Sequence, residues 1–179
     1  QQTSVLKEFT EMAIQANSGV SGSVEYTRMV LEKAVGLFKA AEVMQKATTE
    51  TIAVMSRDAG KTVAEADPEV AEAIDFARFY ATTAQNFGES TPLGTILVVP
   101  PWNFPYAIPM GGVCAALAAG NTVILKPAPE TVATAWEIVS HLWAGGVPQD
   151  VLQFLPMRDD ENGKYLVTNP GIDGLILTG

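Results

Sequence analysis

The sequence predicts an α/β fold: a helical amino-terminal lead-in followed by a parallel sheet with flanking helices. Three observations carry this expectation. Before Ser90, apolar residues recur at three- and four-residue steps, the helical period. After Pro92, short β-branched runs alternate with helix-length segments, the pattern of β-α-β units. Between Ser90 and Leu125 no residue carries a charge, as a buried interior requires.

The elements follow in order. From Tyr26, the residues Tyr26, Met29, Val30, Ala34, Leu37, Phe38, Ala41 and Met44 mark one apolar face, with Glu25, Arg28, Glu32, Lys39, Glu42 and Lys46 elsewhere. Ala59-Gly60-Lys61-Thr62 ends like a phosphate loop, but Met55 stands where an earlier glycine is needed, so it reads as a helix-ending turn. A further helix is expected to start at Asp67-Pro68-Glu69, with Asp as cap, Pro in the first turn and Glu at the positive end of the dipole. Val70, Ala73, Ile74, Ala77 and Tyr80 form its stripe.

Strands are expected over Ile96 to Val99, Thr122 to Leu125, Val151 to Leu155 and Leu175 to Thr178. Helices are expected near Ile108 to Ala119, Val132 to Trp143 and Glu161 to Val167, the middle one stopped by Gly145-Gly146-Val147-Pro148. Such alternation implies right-handed crossovers. Ligands in these sheets bind beyond the strand carboxyl ends, where Pro100 to Asn103, Lys126 to Glu130 and Pro156 to Gly163 fall. Together the three loops outline a nucleotide cleft.

Composition narrows the partners. Of 179 residues, 47% are hydrophobic and 17% charged, which makes a packed domain the expectation. A net charge of −9 argues against nucleic acid and anionic membrane surfaces, which need clustered Lys and Arg. Five prolines (Pro92, Pro100, Pro101, Pro105 and Pro109) and four glycines break the uncharged stretch, so it does not read as a membrane span. No secretory leader follows Gln1-Gln2-Thr3, and the single cysteine suits a reducing cytoplasm.

Few residues are equipped for chemistry. Asn103 follows two prolines and a tryptophan, so its amide is a candidate donor to an oxygen that gains charge; a turn-satisfying Asn is the competing reading. Lys126 is placed to reach a ribose or phosphate oxygen, although most lysines are simply solvated. Cys114 lies in a small-residue apolar helix without a cationic neighbour, which predicts a buried, inert thiol. His141 reads as a surface or packing residue, and no His/Cys cluster has metal-ligand spacing. The first strand is not followed by G-x-G-x-x-G, so an ordinary dinucleotide fingerprint fails.

The motifs Pro101-Trp102-Asn103-Phe104-Pro105, Ala118-Ala119-Gly120-Asn121-Thr122-Val123, Leu125-Lys126-Pro127-Ala128, Ala144-Gly145-Gly146-Val147-Pro148 and Leu177-Thr178-Gly179 resemble the aldehyde dehydrogenase superfamily in order and spacing. Residues Ala59 to Thr62, Glu65 to Val70 and Glu72 to Ala77 are similar to its 1-pyrroline-5-carboxylate (L-glutamate γ-semialdehyde) dehydrogenase branch, often fused to proline dehydrogenase in bacteria.

This resemblance implies NAD-dependent oxidation of an aldehyde to a carboxylate through a cysteine adduct, with NADP also compatible, by a homo-oligomeric parent enzyme. Asn103 is similar to the oxyanion-hole amide and Phe104 to an aromatic of the aldehyde tunnel. Val99, Pro100, Pro101 and Trp102 correspond to the nicotinamide side, Lys126 and Ala128 to the adenosine ribose side, and Gly163 to the start of the pyrophosphate-side helix. The sequence departs from the family at Pro129, where an acid is usual and which shifts the ribose contact to Glu130, and at Met157 and Asp159, where glycines are usual.

The family's nucleophilic cysteine and general-base glutamate lie beyond Gly179. The expected organisation is therefore a helical lead-in over residues 1–91, a partial Rossmann-like NAD-binding unit over 92–179, and no catalytic domain. The chain is expected to be an inactive fragment of a proline-catabolic enzyme. Two alternatives stand beside it: a dehydrogenase for another short semialdehyde, and a non-catalytic nucleotide-binding or interaction fragment.

Overall fold

The computed structural model describes residues 23–86 and 91–179, and only the backbone over 23–31. Ser90, Gln1 to Thr3 and the side chains of Glu25, Tyr26, Arg28, Met29 and Val30 lie outside the described residues. Helices α1 (Ser23–Lys46), α2 (Thr48–Asp58) and α3 (Val63–Asn86) precede β1 (Thr95–Val99), α4 (Ala107–Ala118) and β2 (Thr122–Leu125). Then come a 3-10 turn (Pro129–Thr131), α5 (Val132–Ala144), β3 (Leu152–Phe154), α6 (Glu161–Val167) and β4 (Gly174–Leu177).

The four strands form one parallel sheet in the order β3-β2-β1-β4. The chain steps outward from β1 through β2 to β3, then returns past β1 to β4. Keeping one crossover hand requires the returning helix to lie on the opposite face. Accordingly Ile96, Val98, Val123 and Leu125 join the large core beneath the helices, whereas Leu97 and Ile124 pack with Leu155 and with Leu166 of α6 on the other face. The reversal of order puts the topological switch point between β1 and β4.

The lead-in helices belong to the main core. Ala34, Leu37, Ala41 and Met44 of α1 are buried with Val70, Ala73, Ile74 and Ala77 of α3, the faces expected from their spacing. Close approach is built in: a side chain at Gly111 would meet the Phe76 ring at 3.3 Å, and one at Gly112 would meet Val98 at 3.1 Å. Two adjacent glycines thus let α4 lie flat between α3 and β1.

The expected start of α3 at Asp67 needs correction. It begins at Val63, because the Glu65 carboxylate accepts from the Thr62 backbone N–H at 2.9 Å and from its hydroxyl at 2.7 Å. These contacts form one arm of a capping box and hold the Glu65 carboxyl below its usual range, backbone bond first. Pro68 then sits inside the helix, and Asp67 is exposed. Gly60, with φ of +69°, supplies the left-handed turn after α2.

Candidate functional site

Three loops leave the carboxyl ends of the sheet together. The ladder continues one residue past the strands: Lys126 N donates to Val98 O at 3.0 Å, Leu155 N to Leu125 O at 2.9 Å and Thr178 N to Val99 O at 3.1 Å. Pro100, Lys126, Leu155 and Thr178 therefore open onto a single edge. Pro100 is buried, Val99 and Pro101 are half-buried, and Trp102, Asn103 and Phe104 are exposed. Trp102 is 58% and Phe104 44% exposed, so aromatic surface flanks Asn103 on both sides.

Beneath this loop lies a charged arrangement that spacing did not reveal. Glu69 of α3 is 2% exposed. Its Oε1 accepts from Tyr106 N at 2.8 Å and from Ala107 N at 3.2 Å, the first amides of α4. Its Oε2 pairs with Lys61 Nζ at 2.5 Å, and that ammonium stands 4.3 Å from the centroid of the Phe104 ring. A carboxylate at a helix amino terminus complements the dipole, and a cation over a ring complements its quadrupole. Glu69 was expected to serve its own helix; it caps the next one instead.

At the other end of α4, Lys33 is buried and donates to Gly120 O and Asn121 O, both at 2.8 Å. Burial lowers its ammonium pKa to about 8, against an opposing contribution from Asp150. A helix with no charge of its own thus takes an anion at its start and a cation just past its end.

Lys126 is 3% exposed at the end of β2. Its ammonium pairs with Asp159, whose side chain is 67% exposed, and contacts Pro127 O at 3.5 Å. Ala128 is buried and Glu130 exposed, so the acid that reaches Lys126 comes from the loop after β3. Gly163 is buried in α6, and a methyl group there would meet Arg158 O at 3.5 Å, an ordinary contact. Asp160 caps α6, accepting from Asn162 N at 2.8 Å.

The remaining reactive side chains are structural. Cys114 is fully buried against Met110, with burial pushing its thiol up. His141 is buried too, with Nδ1 2.8 Å from the Tyr106 hydroxyl and Nε2 3.6 Å from Glu137, and burial holds its pKa down. The surface alternative for His141 is thereby corrected. Among the described residues no group of His, Cys, Asp and Glu could hold a metal ion, and no helix is long and apolar enough to cross a membrane.

Known proteins resemble this chain in both sequence and fold. The profile described as aldehyde dehydrogenase family matches residues 8–179. The chain belongs to the aldehyde dehydrogenase family. It is 36% identical over 188 residues to 1-pyrroline-5-carboxylate dehydrogenase of Bacillus pumilus (strain SAFR-032), a match covering 97% of this chain and 36% of the relative. It is 40% identical over 151 residues to bifunctional protein PutA of Escherichia coli (strain K12), covering 83% of this chain and 11% of the relative. A solved point mutant of Thermus thermophilus 1-pyrroline-5-carboxylate dehydrogenase superposes with a TM-score of 0.86 at 31% identity, over 97% of this chain and 36% of that one. The chain thus spans about a third of the single-activity relatives' length. The α/β fold is that of its family neighbours.

Proposed function

We propose that this chain is the cofactor-side part of an aldehyde dehydrogenase that oxidises L-glutamate γ-semialdehyde to glutamate in proline catabolism. The reading takes residues 1–91 as the helical lead-in of an NAD-binding domain and 92–179 as its partial sheet, with nucleophile and general base supplied from outside this chain. The 179-residue polypeptide alone is then inactive. A cytoplasmic setting agrees with its single, buried thiol.

The observation that carries the reading is Asn103, exposed at the carboxyl end of β1 beside the switch point, in the place where such sheets bind ligands. When a nucleophile adds to an aldehyde carbon, the carbonyl oxygen gains negative charge. An amide N–H fixed beforehand stabilises that charge more than it stabilises the neutral carbonyl. Trp102 and Phe104 offer apolar walls beside it, and pockets of this class are mostly apolar with few polar groups.

The ribose side of the edge fits NAD. Lys126 supplies a buried donor, Asp159 an acceptor for ribose hydroxyls, and Ala128 a small neighbour, while Val99, Pro100, Pro101 and Trp102 form the nicotinamide wall. NAD, when bound, takes up the hydride that aldehyde oxidation releases. The start of α6 fits a pyrophosphate less well, since the Asp160 carboxylate already accepts from the Asn162 amide there, although Gly163 leaves room beside it.

Full-length protein assayed with a panel of aldehydes tests the proposal. L-glutamate γ-semialdehyde is expected to give the highest kcat/KM, and Asn103→Ala to lower kcat by about 10²- to 10³-fold with NAD binding unchanged by calorimetry. Unaltered kcat in N103A overturns the assignment of Asn103, and preference for another short semialdehyde overturns the substrate. Turnover by the 179-residue chain that Cys114→Ala abolishes would overturn the external nucleophile.

A further inference from the structure

We propose that Lys61 and Glu69 are positioning residues that hold the Asn103 amide in its working place, Glu69 by fixing the first amides of α4 and Lys61 by holding the Phe104 ring. The proposal rests on the reading of Asn103 given above and extends it to residues on α3 and the turn before it.

The geometry brackets Asn103. One residue after it, the Phe104 ring lies 4.3 Å below the Lys61 ammonium; three residues after it, Tyr106 N is held by Glu69 at 2.8 Å. The two holding groups are themselves joined, Lys61 Nζ to Glu69 Oε2. Among the described residues the Asn103 side chain makes no hydrogen bond of its own, so its position is inherited from these neighbours and from the flanking prolines. Pro105 fixes one dihedral, while the exposed Phe104 is restrained by the cation over it.

Stability alone does not account for the pair. Taking a carboxylate and an ammonium out of water is costly for each ion, and apolar replacements of a buried pair are often neutral or stabilising. Geometry is what a charged clamp adds. Misplacing a reacting group by about 1 Å costs on the order of 10²-fold in rate, so a small tilt of α4 or a freed Phe104 is felt at Asn103.

The experiment is a double-mutant cycle in the full-length protein. Lys61→Met is expected to lower kcat by about tenfold with NAD affinity by calorimetry unchanged, and Lys61→Arg, which pairs and stacks, to recover most of it. In an Asn103→Ala background, K61M is expected to change kcat by less than about twofold, because its effect runs through the amide already lost. Should K61M not fold, Lys61→Gln keeps a donor to Glu69 but removes the charge over Phe104, and is expected to lower kcat in the same direction. Unchanged kcat in K61M, or a full additive loss on top of N103A, overturns the proposal while leaving the oxyanion role intact. N103A without effect overturns that underlying role and the proposal with it.

Discussion

Lys126 and Asp159 join a buried ammonium to an exposed carboxylate across the carboxyl edge of the sheet, linking the end of β2 to the loop after β3. The position three residues after the lysine is Pro129, and Glu130 is exposed, so Asp159 is the acid that meets this ammonium.

On the proposed reading, in which the adenosine ribose lies at this edge, the Asp159 carboxylate repels a 2′-phosphate. Asp159→Asn in the full-length protein is therefore expected to raise NADP affinity about tenfold while leaving NAD within about threefold, a difference of roughly 1 kcal/mol for a partly screened charge. Calorimetric titration with each nucleotide measures it. Equal changes for both nucleotides would show that Asp159 does not read the ribose.

Lys33 gives a stability prediction with a pH signature. Lys33→Met leaves Gly120 O and Asn121 O without their donor and is expected to cost about 1–2 kcal/mol at neutral pH, read from urea unfolding. Its folded pKa of about 8 lies below the ordinary lysine value of 10.5, so between these values the unfolded chain binds more protons. Stability from this site therefore rises with pH across that window, and the K33M deficit is expected to widen from about pH 8 to about pH 10. A constant deficit would contradict the lowered value.

His141 acts at the acid end. Burial holds its folded pKa below 6.5, so on acidification the unfolded chain takes up the proton first and stability falls as pH drops through 6.5. Glu137, raised by burial, protonates early in the folded state and opposes this at lower pH. His141→Gln is expected to flatten the decline in urea midpoints below that value. An unaltered slope would assign the decline to other groups.

The open edge of β4 predicts behaviour of the 179-residue polypeptide itself. Leu175 is 44% and Leu177 68% exposed on a strand that, among the described residues, is paired on one side only, a surface that favours association. Light scattering is expected to show self-association that Leu177→Lys reduces. A monomer at high concentration would count against it.

Much of this was legible in the sequence because local pattern decides it. The strands fall within a residue or so of their expected bounds, and Glu161–Val167 coincides with α6. Local pattern failed where a distant partner set the outcome. Asp67-Pro68-Glu69 looks like a helix start, yet Thr62 and Glu65 begin the helix a turn earlier and free Glu69 for α4, 37 residues away. Lys33 lies on a helix whose other lysines are exposed, and nothing in its spacing announces carbonyls 87 and 88 residues downstream. His141 is shielded by Tyr106, which belongs to another part of the chain.

The charge-free helix α4 has a consequence for how the chain can be divided. Its two counter-charges reside on α1 and α3, so a cut near residue 91 would strip the helix of both at once. The sheet half is electrically incomplete without the helices before it. Transplanting the Asn103 loop into another scaffold would therefore require carrying Lys33 and Glu69 along, although neither is near it in sequence.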